Sequence, residues 1–169
     1  MQDVSDVDRL IWLDGELVPW RAATVHVLSH SLQRGSLVFD FMSIKETPRG
    51  AAIFRLDRHI GRLLRSCSLM GLPISYGETE LANAVLKTAR ANPGARNVKI
   101  SAFIPSVEVD VVPVDPSVSV AIAAYDPLSD IQSRLPGEKS TPVSALRVSL
   151  ERDTRQRRED IVSPEAKVS

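Results

Sequence analysis

The chain has 169 residues, 43% hydrophobic and 25% charged, which suits one medium domain, or one domain with a piece of another. Its 21 basic and 21 acidic side chains cancel, which argues against a nucleic-acid binder, since such proteins carry a basic excess on one face. The single cysteine, Cys67, excludes an internal disulfide framework and fits a reducing compartment.

The amino-terminal stretch MQDVSDVDR is acidic and has no apolar core, so it does not read as a secretory signal. The longest apolar run, VSVAIAA at 118–124, is far shorter than the roughly 20 residues needed to span a bilayer. A soluble, cytoplasmic protein with neither nucleic acid nor membrane as partner is expected.

In IWLDGELVPW (11–20), Asp14-Gly15 separates two short apolar runs. This is a strong hairpin signal, because glycine accepts the positive φ that tight turns require. SLVFDFMSIK (36–45) predicts a strand buried on at least one face, its apolar residues being Val38, Phe39, Phe41, Met42 and Ile44. ETPRG (46–50) predicts a turn and AAIFRL (51–56) an antiparallel return. Asp57 is placed to cap a helix. Along that helix Ile60, Leu63, Leu64 and Cys67 fall at i, i+3, i+4 and i+7 and form one apolar stripe, with Gly71 and Pro73 beyond its end.

Residues 77–94 predict a second helix with Leu81, Ala84, Val85 and Ala89 facing inward and Asn92-Pro93-Gly94 closing it. NVKISAFI (97–104) and VSVAIAAY (118–125) predict strands. From 126 to 142 the composition turns polar, with two proline-containing turns and no helical or strand period, which reads as an inter-domain linker. VSALRVSL (143–150) predicts a further strand, followed by too few residues for an independent core. The expected architecture is α/β, more narrowly α+β. A small amino-terminal domain of antiparallel sheet with two helices spans 1–125, a linker spans 126–142, and an incomplete second domain begins at 143–169.

ERDTRQRRED (151–160) carries Arg152, Arg155, Arg157 and Arg158, but Glu151, Asp153, Glu159 and Asp160 offset them, and a solvated loop is expected. His26 and His30 stand at i, i+4, a metal-ligand spacing on a helix. Their surroundings are β-branched and hold no cysteine or paired carboxylate, so structural histidines and no metal site are expected. Cys67 lies on the apolar stripe and reads as a small core residue, with nothing nearby to lower its pKa. Arg62 falls on the opposite helix face with Arg58, Arg65 and Ser66. Two readings stay open: a solvent-exposed arginine, or a guanidinium that grips an anion bidentately beneath a second layer. Lys167, by position alone, reads as a surface lysine.

Three segments change the weight of those residues: IWLDGELVPWRAATVHVLSHSLQRGSLVFD, then IFRLDRHIGRLLRS, then PEAKVS. In this order and near this spacing they resemble the class IV (fold-type IV) aminotransferases, which depend on pyridoxal 5'-phosphate (PLP). That group includes branched-chain and D-amino-acid aminotransferases and aminodeoxychorismate lyase. The resemblance implies that Arg62, in HIGRL, bonds the cofactor phosphate and that Lys167 forms the Schiff base with PLP. It implies that Phe39 and Asp40, matching the family's VFE, line the substrate pocket. Lys99 stands where branched-chain enzymes often carry a carboxylate-binding arginine. PLP acts as an electron sink, so the protein's task is to supply an unprotonated lysine amine, charge for the phosphate and a carboxylate for the pyridine nitrogen.

The implied function is PLP-dependent transfer of an amino group between an amino acid and a 2-oxo acid, a branched-chain aminotransferase-like role in amino-acid metabolism, carried out by a homodimer. The alternatives are an aminodeoxychorismate lyase-like reaction, or a non-catalytic assembly module whose exposed apolar face associates. Two departures bear on specificity. Arg34 replaces an aromatic residue before the pocket glycine and favours an acidic substrate group. VFDFMS replaces VFEGIR, so Phe41 narrows or reshapes the pocket. Family members are much longer, and their second domain supplies the pyridine-facing carboxylate and a tyrosine shortly after the lysine. The expectation is therefore a chain truncated just past Lys167 and inactive by itself.

Overall fold

The computed structural model describes residues 7–133, 163 and 165–168. The expected strand at 143–150 and the charged stretch 151–160 lie outside the described residues, as does most of the expected linker. Among the described residues, six strands form one antiparallel sheet in the order β2-β1-β6-β5-β3-β4, and the architecture is α+β as expected.

Strands β1 (Leu10–Leu13) and β2 (Glu16–Pro19) form the hairpin expected at Asp14-Gly15. Both turn residues have positive φ, 45° and 106°, the geometry that matches strand twist in a two-residue turn. A second hairpin joins β3 (Leu37–Thr47) to β4 (Gly50–Ile53). Strands β5 (Asn97–Phe103) and β6 (Ser119–Tyr125) complete the centre, pairing through their whole length.

Side chains alternate across a sheet, so each strand divides its residues between two faces. One face presents Trp12, Val38, Met42, Val98, Ile100, Ala102, Val120, Ile122 and Ala124, all buried. Two helices cover it. Helix α2 (Leu56–Leu69) lies against β3 and contributes Ile60, Leu63 and Cys67; helix α3 (Glu78–Ala91) lies against β1, β5 and β6 and contributes Leu81, Ala84 and Val85. The stripes expected from spacing are therefore the ones used. Each fully buried aliphatic side chain contributes about 1.5–3 kcal/mol.

Polar groups fix where the helices end. Asn92, just beyond α3, accepts the Leu10 N–H at 2.8 Å and donates to the Leu10 carbonyl at 2.8 Å, tying the helix end to β1. Asp57 does not cap α2. The helix begins at Leu56 after Arg55, so the Asp57 backbone is already helical and its charge sits in the first turn, where it favours the amino-terminal dipole.

Short elements are not legible from periodicity, among them a 3-10 turn at Trp20–Ala22. A short helix, α1 (His30–Arg34), is capped by the Ser29 hydroxyl and closed by Gly35 at φ 73°. Residues Pro127–Gln132, within the stretch expected to be an irregular linker, form one π-helical turn. Its buried Asp130 accepts from Arg9 Nε at 2.9 Å, which anchors the turn to the sheet domain.

Candidate active site

Asp40 shares its sheet face with Val38 and Met42, so its carboxylate enters the layer beneath α2, where it is fully buried. A buried charge is costly unless paired and hydrogen-bonded. Helix α2 supplies the partners. Arg62 Nε donates to Asp40 Oδ2 and Arg62 Nη2 to Oδ1, both at 2.7 Å, a fork on a carboxylate. His59, three residues earlier and on the same helix face, places Nδ1 2.8 Å from Oδ1. Since an ionised carboxylate only accepts, Nδ1 carries the proton. The Phe41 backbone N–H donates to Oδ1 at 2.7 Å.

Burial pushes the Asp40 carboxyl up, but the bonds from Arg62, His59 and Phe41, with the nearby Lys167 charge, outweigh it and hold Asp40 below the usual carboxylate range. In return, the bond to Asp40 raises Arg62 further. Arg62 is half-exposed, with no second layer over it among the described residues, and its bidentate grip is on a carboxylate of its own chain.

The segment bearing Lys167 docks on the same helix and on β3. The Lys167 backbone N–H donates to the buried Ser66 hydroxyl at 3.0 Å, and its carbonyl accepts from the Phe39 N–H at 3.1 Å. Val168 bridges Val38, and Arg65 Nε donates to Glu165 at 2.9 Å. These contacts bring Lys167 Nζ to 3.6 Å from Asp40 Oδ1 and 5.2 Å from the centre of the Phe39 ring.

The other sheet face carries Phe39, Phe41, Lys99 and Ser101. Lys99 Nζ lies 4.7 Å from the Phe39 ring centre, so one aromatic ring contacts two ammonium groups. Phe41, opposite Lys99, is exposed. Farther along this face an apolar cavity of about 360 Å³ is lined by Leu13, Val25, Leu32, Leu37 and Phe103, among others.

The structure therefore gathers Arg62, Lys167, Phe39, Asp40 and Lys99. The Asp40 carboxylate is buried beneath α2, on the sheet face opposite Phe39, because its strand position faces the helices. Arg34 stands apart at the end of α1, where Nη2 approaches the Val109 carbonyl at 3.4 Å. The sequence reading gives His59 no role and sets Ser66 on the outward face with Arg62, whereas Ser66 is fully buried because the Lys167 segment and β3 pack over that line of the helix. Their signal is positional: 59, 62 and 66 follow i, i+3, i+7 and share one helix line.

The histidine pair has local duties. His30 Nε2 donates to the Val111 carbonyl at 2.9 Å while Nδ1 meets the Ser36 hydroxyl, and His26 Nδ1 accepts the Leu28 N–H. Burial pushes the Cys67 thiol up to about 11, so it stays protonated on the core stripe.

Residues 37–163 match the family model for amino-transferase class IV, and the chain belongs to that family. The branched-chain-amino-acid aminotransferase of Pseudomonas aeruginosa is 45% identical over 89 residues, covering 53% of this chain and 29% of that protein. The Escherichia coli K12 protein of the same name is 37% identical over 82 residues, covering 48% and 26%. Among solved structures, the branched-chain aminotransferase of Thermoproteus uzoniensis with norvaline has a TM-score of 0.65 at 37% identity, covering 69% of this chain and 40% of that one. The branched-chain amino acid aminotransferase of Thermobaculum terrenum in its PLP form has a TM-score of 0.60 at 25% identity, covering 71% and 40%. The match thus spans under a third of these curated relatives and about two fifths of these solved chains.

Proposed function

We propose that this chain supplies the Lys167 and Arg62 side of the active centre of a PLP-dependent aminotransferase, which moves an amino group between an amino acid and a 2-oxo acid. The observation that carries this reading is the meeting of Arg62 and Lys167, from distant parts of the sequence, on the buried carboxylate of Asp40.

The residues present fit the cofactor. A guanidinium has five N–H groups, and Asp40 takes two from Arg62. The side chain is 47% exposed, so its outer edge keeps donors for a phosphate. Lys167 offers an amine within the same cluster. When bound, PLP supplies the electron sink that stabilises negative charge at the substrate Cα. Lys167 Nζ, once unprotonated, is the group that takes and returns the proton at Cα. The Phe39 ring shields that amine on one side, and Lys99 offers a cation to a substrate carboxylate.

The relatives' names support a branched-chain-like amino acid as substrate, and the exposed Phe41 ring suits an apolar side chain. A homodimer is part of the proposal, supported by the exposed Val25, Val27, Leu28 and Leu32. A cytoplasmic location is proposed on the single reduced cysteine. Because the match covers 29% of the Pseudomonas protein, little turnover is expected from the 169-residue polypeptide alone.

The test is reductive trapping. The chain is mixed with PLP, treated with borohydride, and mapped by peptide mass spectrometry. A pyridoxyl adduct concentrated on Lys167 supports the reading; adducts spread evenly over Lys45, Lys87 and Lys99 would refute it.

A further inference from the structure

We propose that Asp40 is a positioning residue: its buried carboxylate holds the Arg62 guanidinium in one orientation and draws the Lys167 amine beside it. The assignment rests on Arg62 and Lys167 serving the cofactor as proposed.

Asp40 is fully buried and makes no contact with open space, so it does not touch a substrate. It nevertheless has a designated partner on every side. Oδ2 takes Arg62 Nε; Oδ1 takes Arg62 Nη2, His59 Nδ1 and the Phe41 N–H, and lies 3.6 Å from Lys167 Nζ. Arg62 Nη2 and His59 Nδ1 are only 3.2 Å apart although both carry protons, which is tolerable because the carboxylate lies between them. A half-exposed arginine without such a hold samples many rotamers, and ordering it on an anion costs side-chain entropy. With Nε and Nη2 already engaged, that ordering is done before any ligand arrives, and the remaining N–H groups point in one direction.

The same carboxylate lies beside a docked lysine. Ser66 and Phe39 bracket the Lys167 backbone, and Asp40 meets the far end of its side chain. One residue on β3 thus sets the spacing between a phosphate-directed cation and an aldehyde-directed amine.

The experiment compares two aldehydes on the full 169-residue chain: PLP, and pyridoxal, which lacks the phosphate. Each is trapped with borohydride, and adducts at Lys167 are quantified by mass spectrometry, with the exposed Lys45 and Lys87 as internal references. In the wild type, the PLP-to-pyridoxal ratio at Lys167 should exceed that at Lys87. Asp40→Asn, of equal shape but without charge, should lower this excess about tenfold. Asp40→Glu, which restores the carboxylate, should recover it to within about twofold. An excess unchanged in Asp40→Asn overturns the assignment.

A variant that merely loosens the fold raises labelling at Lys45 and Lys87 as well. If Asp40→Asn does so, Asp40→Glu decides: recovery of the excess with labelling at Lys45 and Lys87 as in the wild type supports the assignment, and failure to recover it overturns it. Absence of any excess in the wild type would instead refute the cofactor reading, so the two failures are distinguishable.

Discussion

Asp40 and Arg62, 22 positions apart in sequence, are joined by two hydrogen bonds of 2.7 Å between a fully buried carboxylate and a half-exposed guanidinium. Removing the guanidinium leaves the carboxylate short of its principal donors. Arg62→Ala is expected to destabilise the chain by about 2 kcal/mol, less than for a fully buried pair because solvent reaches the arginine. The shift in urea midpoint measures it, and a change below experimental error would show the pair to be energetically idle.

Acid should weaken the same cluster. Asp40 and Asp130 are both held below the ordinary carboxylate range despite burial. A carboxylate with a lowered folded pKa contributes stability that is fully present above its unfolded value, near pH 4, and is lost as pH falls through the folded value. Thermal melts should therefore lose midpoint steadily below about pH 4.5, and Asp40→Asn should flatten that decline. A decline that the variant leaves intact would assign the acid response elsewhere.

Cys67 should be chemically silent. Its thiol is completely buried and pushed up to about 11, so almost none is thiolate near neutrality. A chromogenic disulfide reagent should react with the native chain only as fast as the chain unfolds, and stoichiometrically in denaturant. Rapid native reaction would contradict the packing of α2 on the sheet.

The turn between β1 and β2 gives a backbone prediction. Gly15 has φ 106°, and a Cβ built there would meet nothing within 4 Å, so the cost of Gly15→Ala is conformational strain without a clash. The expected loss is on the order of 1 kcal/mol. Gly61 offers a control: it lies inside α2 with open space around its Cβ position, and Gly61→Ala should stabilise by up to about 1 kcal/mol. Equal effects at the two positions would contradict the difference in backbone geometry.

Much of the fold is legible in the sequence because local rules and burial agree. The i, i+3, i+7 stripe of Ile60, Leu63 and Cys67, the closing Asn92-Pro93-Gly94 and the Asp14-Gly15 turn each form as spacing and turn chemistry demand. Strand β3 is harder. Phe39 and Phe41 are as apolar as Val38 and Met42, yet strand alternation puts the two pairs on opposite faces, and the polar Asp40 takes an inward place between Val38 and Met42. Hydrophobicity alone does not reveal that, because Asp40 is inward only through partners contributed by another element. The short α1 is silent for a related reason: five residues are too few to show a helical period, and its cap and its contacts with the 104–106 loop hold it.

The sequence by itself determined the order of strands and helices, the helix faces that pack, and the family to which the chain belongs, since all three depend on spacing along the chain. Resemblance singled out Arg62 and Lys167, but neither residue's spacing shows what it touches. Only the tertiary structure decided that Arg62 is clamped by Asp40, that His59 and Ser66 stand in line with it, and that Lys167 reaches the same carboxylate. Those contacts join β3, α2 and a distant segment. Burying one charge without its partners is too costly for any of the three to specify alone.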